Sequence, residues 1–164
     1  MESPRTLIVC ERSGRWALPL RLAADRAATG NRVQPTAAAT TPDNAPLPRW
    51  DYRLVETRSP EECCLALATV RLAIVAVELD RAHCDQALAL VHTIWERFPK
   101  AVIVVLAGSE SADYEWLARE LGAAHFVISP SRLDDFVILA RRHWESWATP
   151  ELGTAEQIWA TLPW

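Results

Sequence analysis

Cysteines and histidines are the side chains of this sequence that could bind a metal or act as nucleophiles. Four of them lie at positions Cys63, Cys64, His83 and Cys84. Thiolate and imidazole groups are ligands that Zn²⁺ prefers. Their spacing matches no established zinc pattern, and two adjacent residues of a helix point about 100° apart. The sequence therefore favours small buried thiols and a surface imidazole over a zinc site, and we expect no bound metal.

Enzymatic motifs are absent from the sequence. The five glycines stand at positions 14, 30, 108, 122 and 153 and form neither a GxGxxG motif nor a phosphate-binding loop. No sequence context supports a Cys-His nucleophile pair. No histidine has a neighbour that would make it a catalytic base. We therefore expect no enzymatic activity and no cofactor.

Short apolar segments and amphipathic segments alternate along most of the chain. We predict strands and helices in turn over Thr6–Cys10, Gly14–Ala28, Tyr52–Glu56, a helix capped by Ser59, Leu72–Leu79, Cys84–Phe98, Ala101–Leu106, Ser111–Leu121, His125–Ile128 and Arg132–Trp147. We expect Pro19 to kink or divide the first helix. This alternation indicates parallel strands with right-handed crossovers. The predicted fold class is α/β, with a doubly wound five-stranded parallel sheet.

Two segments lie outside this alternation. Residues 29–49 are rich in Ala, Thr and Pro, a composition that buries too little apolar surface to offset its ordering entropy. We predict a flexible insertion there, between the first helix and the second strand. Residues 149–164 form a tail that contains Trp159 and Trp164. We therefore expect one domain over residues 1–148, followed by a C-terminal tail.

Two short motifs, together with the order of the elements, resemble a known family. Leu121-Gly122-Ala123-Ala124 precedes the last strand and is similar to the Gly-Ala turn of response-regulator receiver (CheY-like) domains. Ser129-Pro130 follows that strand and is similar to the Lys-Pro of the same family. The resemblance covers about residues 6–147, apart from the insertion. It implies a flavodoxin-like (β/α)5 fold with its site beyond the carboxyl ends of the strands.

The resemblance also implies which residues stand at the receiver phosphorylation site. Receivers place there an acidic pair for Mg²⁺, an Asp that accepts the phosphoryl group, a hydroxyl residue and a Lys. In this sequence these positions hold Cys10-Glu11, Glu78, Leu106 and Ser129. Leu106 forms no hydrogen bond through its side chain, and Ser129 carries no positive charge. The site is therefore predicted to be degenerate, with Glu78 as a permanent negative charge.

Two alternatives stay open on the sequence alone. Asp80 lies two residues after Glu78 and would point to the same side of an extended strand. An atypical receiver could then accept a phosphoryl group and use Glu11 and Asp80 around Mg²⁺. In a third interpretation, the crevice at the carboxyl edge binds a small molecule, as flavodoxin-like sheets allow.

Eight tryptophans are an unusual feature of a chain of this length. Tryptophan is enriched at the energetic centres of protein interfaces. In receivers, the face made by the fourth helix, fifth strand and fifth helix commonly carries dimerisation or partner docking. The candidate interaction surface therefore comprises Trp116, Phe136, Trp144, Trp147, Trp159 and Trp164. The tail could instead fold back and cover Trp144 and Trp147 within its own domain.

Composition restricts the class of partner. The 164-residue chain has a net charge of −4, so no basic excess is available to neutralise nucleic-acid phosphates. Its longest apolar run is too short to span a bilayer, and its first residues do not resemble a signal peptide. Four cysteines without a disulfide framework are typical of a reducing cytoplasm. We predict a cytoplasmic, phosphorylation-independent signalling or scaffolding module that binds another protein or a second copy of itself.

Overall fold

The computed structural model describes residues 5–28 and 52–148. This part of the chain contains five strands and five α-helices. In chain order they are β1 (Arg5–Cys10), α1 (Ala17–Ala28), β2 (Tyr52–Thr57), α2 (Pro60–Ala68), β3 (Ala73–Leu79), α3 (Cys84–Arg97), β4 (Val102–Ala107), α4 (Glu115–Glu120), β5 (His125–Val127) and α5 (Leu133–Ala148). The predicted insertion and tail lie outside the described residues. No described helix is long and apolar enough to cross a membrane.

The five strands form one parallel sheet in the order β2-β1-β3-β4-β5. This confirms the predicted doubly wound α/β fold. The strand order reverses direction between β1 and β3, which is where such sheets open a crevice at their carboxyl ends. Cys10, the last residue of β1, pairs with Val77 on β3, so the residues that follow them, Glu11 and Glu78, lie at this point.

The core has one layer on each face of the sheet. One layer contains α1 and α5, whose buried side chains include Leu20 and Phe136. The other layer contains α2, α3 and α4, with Leu67, Val91 and Ala118 among its buried residues. Strands β3 and β4 are buried on both faces, which explains why β4 is continuously apolar and β3 is apolar except at Glu78.

The first helix differs from its prediction. It starts at Ala17 rather than Gly14 and continues without interruption to Ala28, so Pro19 does not divide it. Pro19 lies in the first turn, where a backbone N–H has no acceptor within the helix. Its missing donor therefore costs no helical hydrogen bond.

The region before β5 also differs from its prediction. We predicted one helix over Ser111–Leu121, whereas the structure has a 3₁₀ segment, Ser109–Tyr114, followed by the short helix α4. Gly122 follows α4 with a φ of 109°, the left-handed conformation expected of a residue that ends a helix. The side chain of Trp95 on α3 packs against this glycine.

Candidate functional site at the carboxyl edge of the sheet

A small cleft lies where β1 and β3 end, with a volume of about 30 Å³. Three of the predicted site residues, Cys10, Glu11 and Glu78, line it together with Asp80. Leu106 and Ser129 do not line it. The structure thus brings the β1 and β3 parts of the predicted site together at the cleft. Leu106 pairs with Glu78 in the sheet but is fully buried, so it does not contribute to the lining.

The carboxylate of Glu78 binds the loop that follows β1. One oxygen, Oε2, accepts hydrogen bonds from the backbone N–H groups of Arg12, at 2.7 Å, and Ser13, at 3.1 Å. The other, Oε1, accepts a hydrogen bond from the Ser13 hydroxyl. Gly14 follows with a φ of 72°, which lets the chain turn toward α1. Sequence reasoning missed Arg12 and Ser13, and this glycine after a strand was the one available signal.

The carboxylate of Glu11 binds the start of α1 rather than the loop that Glu78 binds. This carboxylate is buried and accepts hydrogen bonds from the backbone N–H groups of Trp16, at 2.6 Å, and Ala17, at 3.1 Å. These groups begin α1, where the helix dipole favours a negative charge. The guanidinium of Arg58 lies 3.6 Å away and forms an ion pair with Glu11. Glu11 therefore stabilises the first turn of α1.

Arg12 connects the β1–α1 loop to α3. Its Nη2 donates a hydrogen bond of 2.5 Å to Oε1 of Gln86, and both residues line the cleft. Arg12 thus holds Glu78 through its backbone and contacts α3 through its side chain. This places a positive charge beside the cleft, on a residue that the receiver resemblance did not assign to the site.

Asp80 caps the short 3₁₀ segment that precedes α3. Its Oδ1 accepts a hydrogen bond of 2.8 Å from the backbone N–H of His83. Nδ1 of the same histidine lies 3.1 Å from this oxygen. Among residues 5–28 and 52–148, no three His, Cys, Asp or Glu side chains are placed to bind one metal ion. This includes the carboxylates around Asp80 and the thiols near His83.

The hydroxyl and lysine positions of a receiver have other roles in this chain. Leu106 is fully buried in the sheet, where β4 pairs with β3 and β5. The Oγ of Ser129 accepts a hydrogen bond of 3.3 Å from the backbone N–H of Ser131, so Ser129 caps a turn. Lys100 lies at the opposite edge of the sheet and lines a different cleft there.

Cys10, which lines the cleft, and the buried Cys63 influence each other's pKa. Cys10 ends β1, and Cys63 lies near the start of α2. The hydrogen bond from the Cys63 thiol lowers the pKa of Cys10, against the opposing effect of burial. The same hydrogen bond and burial raise the pKa of Cys63 far above its ordinary value.

The predicted interaction surface is only partly exposed. Trp116 on α4 is 71% exposed. Phe136 and Trp144 are buried between α5 and the sheet, so they are core residues and not surface residues. Their positions correspond to the apolar stripe of α5, which faces inward. The side chain of Trp147, and Trp159 and Trp164, lie outside the described residues.

A charged face surrounds His125, the first residue of β5. Arg119 and Glu115 on α4 form an ion pair of 2.8 Å on one side. Arg132 and Asp135, at the start of α5, lie 3.8 Å apart on the other side. Burial, followed by the positive charges of Arg119 and Arg132, lowers the pKa of His125. We call these five residues the His125 face.

Comparison with solved structures identifies the fold. A response regulator from Thermotoga maritima is 17% identical, with a TM-score of 0.63, over 87% of this chain and 98% of its own. The REC domain of AraT, a response regulator from Geobacillus stearothermophilus, is 17% identical, with a TM-score of 0.62, over 88% and 98%. An orphan response regulator of H. pylori is 14% identical, with a TM-score of 0.58, over 87% and 98%.

These similarities show that the chain has the fold of response-regulator receiver (CheY-like) domains, as its sequence motifs predicted. No protein-family model matches the sequence, and none of the curated proteins matches it. At this level of identity the similarity concerns the fold. The chemistry of the site must therefore be argued from the residues of this chain.

Proposed function

We propose that this chain is a receiver-fold signalling module that acts without phosphorylation, by binding another protein or a second copy of itself. The observation that carries the proposal is the set of hydrogen bonds that Glu78 forms. The residue at the acceptor position already uses both carboxylate oxygens to bind the β1–α1 loop. The receiver fold supports the signalling role.

Phosphoryl transfer in receivers uses a free acceptor carboxylate, a hydroxyl residue after β4 and a lysine after β5, and this chain has Leu106 and Ser129 at the last two positions. A carboxylate oxygen must attack the phosphoryl group, and cations or hydroxyl donors must stabilise the charge that develops on it. Glu78 would have to release hydrogen bonds to a charged acceptor, each worth about 1.5–3 kcal/mol. Leu106 supplies no donor, and Ser129 caps a turn. The arrangement therefore favours a site that accepts no phosphoryl group.

The cleft is also small for the third interpretation. Pockets that bind nucleotides, flavins or similar ligands usually enclose about 300–1,000 Å³. The cleft at Glu78 has about 30 Å³, which suits water-sized molecules. The residues at this edge of the sheet therefore support a structural role for Glu78 more than a ligand-binding one.

Glu78 gives the β1–α1 loop a constant conformation in this proposal. A carboxylate that is permanently charged binds Arg12 and Ser13 without any input. A switch needs an element whose two states an input can shift. The module would therefore present one binding-competent surface continuously.

We place the interaction on the His125 face and the adjoining Trp116. The face contains two basic and two acidic side chains around one histidine. Such a balanced set can pair with itself across a two-fold axis, where each basic group meets an acidic group of the partner. Trp116 is exposed and offers the large apolar area typical of an interface centre. A second copy of the chain is therefore the first partner to test.

Sedimentation velocity over a range of protein concentrations tests this interface. Trp116→Ala should weaken self-association about tenfold or more, because truncating an interface-centre tryptophan costs about 2 kcal/mol or more. Leu65→Ala is the control, because Leu65 is 70% exposed but lies on α2, on another part of the surface. A wild-type protein that stays monomeric at all concentrations, or equal effects of the two variants, would contradict self-association through this face.

The charge of Glu78 can be tested in the same measurement. Glu78→Gln removes the permanent negative charge and keeps the shape of the side chain. If that charge maintains the binding-competent state, the variant should associate more weakly than wild type at equal folded fraction. Unchanged partner binding and oligomeric state would show that the charge has no such role.

A further inference from the structure

Cys10 and Cys63 converge on a single backbone oxygen. The Sγ of Cys10 donates a hydrogen bond of 3.6 Å to the carbonyl oxygen of Ser59. The backbone N–H of Cys63 donates a hydrogen bond of 3.1 Å to the same oxygen. Both residues belong to the same buried cluster on one face of the sheet. Two free cysteines from different elements that approach one backbone oxygen are placed where a disulfide can form.

The two thiols differ in their access to solvent. Cys10 is 8% exposed and lines the cleft beside Glu78, whereas Cys63 is fully buried. The cleft has room for a molecule about the size of water. A small oxidant can therefore reach Cys10 in the cleft, whereas Cys63 is shielded from it.

We propose that Cys10 and Cys63 are a reversible redox pair, in which hydrogen peroxide oxidises Cys10 and Cys63 then closes an intramolecular disulfide. This division of roles follows from the exposure of Cys10 and the burial of Cys63. The lowered pKa of Cys10 supports it, because the thiolate is the nucleophile in such reactions.

Each disulfide that forms consumes two thiols and one molecule of hydrogen peroxide. The Cys10 thiolate attacks one peroxide oxygen, the O–O bond breaks, and hydroxide leaves and takes up the proton that Cys10 lost, giving water and a Cys10 sulfenic acid. The Cys63 sulfur then attacks Sγ of Cys10, the S–O bond breaks, and the hydroxide that leaves takes the Cys63 proton. Two thiols have lost two electrons to one peroxide, which has become two waters. A dithiol reductant reverses the change.

The position of the pair gives the disulfide a consequence for the site. Cys10 directly precedes Glu11 and Arg12, which hold the start of α1 and the carboxylate of Glu78. A covalent bond from Cys10 to α2 would therefore act on the β1–α1 loop. This consequence rests on the proposed function, but formation of the disulfide does not.

Peroxide titration followed by peptide mapping tests the proposal. The reduced, folded full chain is treated with hydrogen peroxide at about one equivalent, its remaining thiols are alkylated after denaturation, and the disulfide peptide is identified. We expect a Cys10–Cys63 disulfide, a mass loss of two hydrogens, and alkylated Cys64 and Cys84. Dithiothreitol should restore the original mass.

Two variants separate the roles of the cysteines. Cys64→Ser with Cys84→Ser removes the half-buried thiols, and this double variant should form the same disulfide as wild type. Cys63→Ser should stop at a Cys10 sulfenic acid, which dimedone traps. Because a buried hydroxyl could impair folding, Cys63→Ala with circular dichroism provides the same test without it.

Three outcomes would overturn the proposal. One is a disulfide that involves Cys64 or Cys84 in the wild-type chain. Another is a Cys10–Cys63 disulfide that forms only after denaturation, which would show that the folded geometry does not favour it. The third is oxidation of Cys10 to the sulfinic acid at the same rate in wild type and Cys63→Ala. None of these results depends on whether Glu78 accepts a phosphoryl group, so the two proposals fail separately.

Discussion

A hydrogen bond of 2.7 Å joins Oε2 of Glu78, at the end of β3, to the backbone N–H of Arg12, in the loop after β1. This contact crosses the point where the strand order of the sheet reverses. Ser13 adds two further donors to the same carboxylate. A residue at the position of a receiver's phosphoryl acceptor thus connects two elements of the fold.

We predict that Glu78 contributes measurably to stability. Glu78→Ala should lower the free energy of unfolding by about 1–3 kcal/mol, because two backbone N–H groups and one hydroxyl lose a charged acceptor. Glu78→Asp should recover little of this loss, since its carboxylate is one methylene shorter. Urea unfolding provides the measurement, and the exposed Glu120→Ala on α4 is the control. Equal stability of the Glu78→Ala and Glu120→Ala variants would contradict this role.

Glu11 should be more important to stability than its ion-pair partner. Glu11→Ala should cost about 2–6 kcal/mol, because the buried N–H groups of Trp16 and Ala17 lose their acceptor at about 1–3 kcal/mol each. Arg58→Met should cost about 1 kcal/mol or less, since the Arg58 side chain is 52% exposed and solvent screens its charge. Urea unfolding of both variants measures the difference. If Arg58→Met lowers the free energy of unfolding more than Glu11→Ala does, the contacts of Arg58 matter more to stability than the hydrogen bonds of Glu11 at the start of α1.

Substitutions at two glycines distinguish the cost of an unfavourable backbone conformation from the cost of steric overlap. Gly14 and Gly122 both have positive φ, at 72° and 109°. A Cβ on Gly14 would meet nothing nearer than 3.8 Å, whereas a Cβ on Gly122 would lie 2.7 Å from the Trp95 ring. Gly14→Ala should cost about 1–2 kcal/mol from conformation alone, and Gly122→Ala should cost more.

Thermal unfolding of the two glycine variants checks this order. Adding Trp95→Ala to Gly122→Ala should recover part of the loss, because it removes the overlap and leaves the unfavourable φ. The two substitutions should therefore be non-additive, as expected of residues in contact. Strict additivity would mean that Trp95 does not restrict position 122.

Stability should decrease as the solution becomes more acidic through the histidine range. Burial lowers the pKa of His125, with help from Arg119, and burial alone lowers the pKa of His143. The unfolded chain therefore binds protons first, and the free energy of unfolding falls as pH drops below the ordinary histidine pKa of about 6.5. Stability is restored above that pH, where both histidines are neutral in either state.

Urea unfolding at several pH values between about 7.5 and about 5.5 measures this dependence around the ordinary histidine pKa. Carboxylates also titrate toward the acidic end, so the comparison is with a His125→Gln, His143→Gln double variant. Its pH dependence should be smaller than that of wild type. A steeper dependence in the double variant would reverse the sign of the proposed effect.

The fold could be predicted from the sequence, because the apolar pattern of each strand reflects its burial. Val102–Ala107 is continuously apolar since β4 is covered on both faces. The short α4 was predicted too long, because six residues before it wind as a 3₁₀ segment that leaves no distinct periodicity. Trp144 was placed on the surface because aromatic content alone does not tell which side of a helix faces the sheet.

For the site, the sequence predicted that Cys10, Glu11 and Glu78 lie near one another, but it did not predict which groups bind them, and the degenerate phosphorylation site stays a prediction. Alignment of the strand ends brought Cys10, Glu11 and Glu78 to one edge, and the structure places them around one cleft. Two of the three donors that bind Glu78 are backbone N–H groups, which every residue carries, and the third is the hydroxyl of Ser13. No side-chain pattern could therefore reveal that Arg12 takes part.

Intact-mass measurement after incubation with Mg²⁺ and a small phosphodonor tests the central claim most directly. A working receiver domain, treated in parallel, provides the positive control. We predict no mass gain for this protein, because Glu78 is already bound to the β1–α1 loop and neither Leu106 nor Ser129 can support transfer. A gain of one phosphoryl group that is lost in Glu78→Gln or Asp80→Asn would contradict the claim and show that the protein accepts a phosphoryl group at this site.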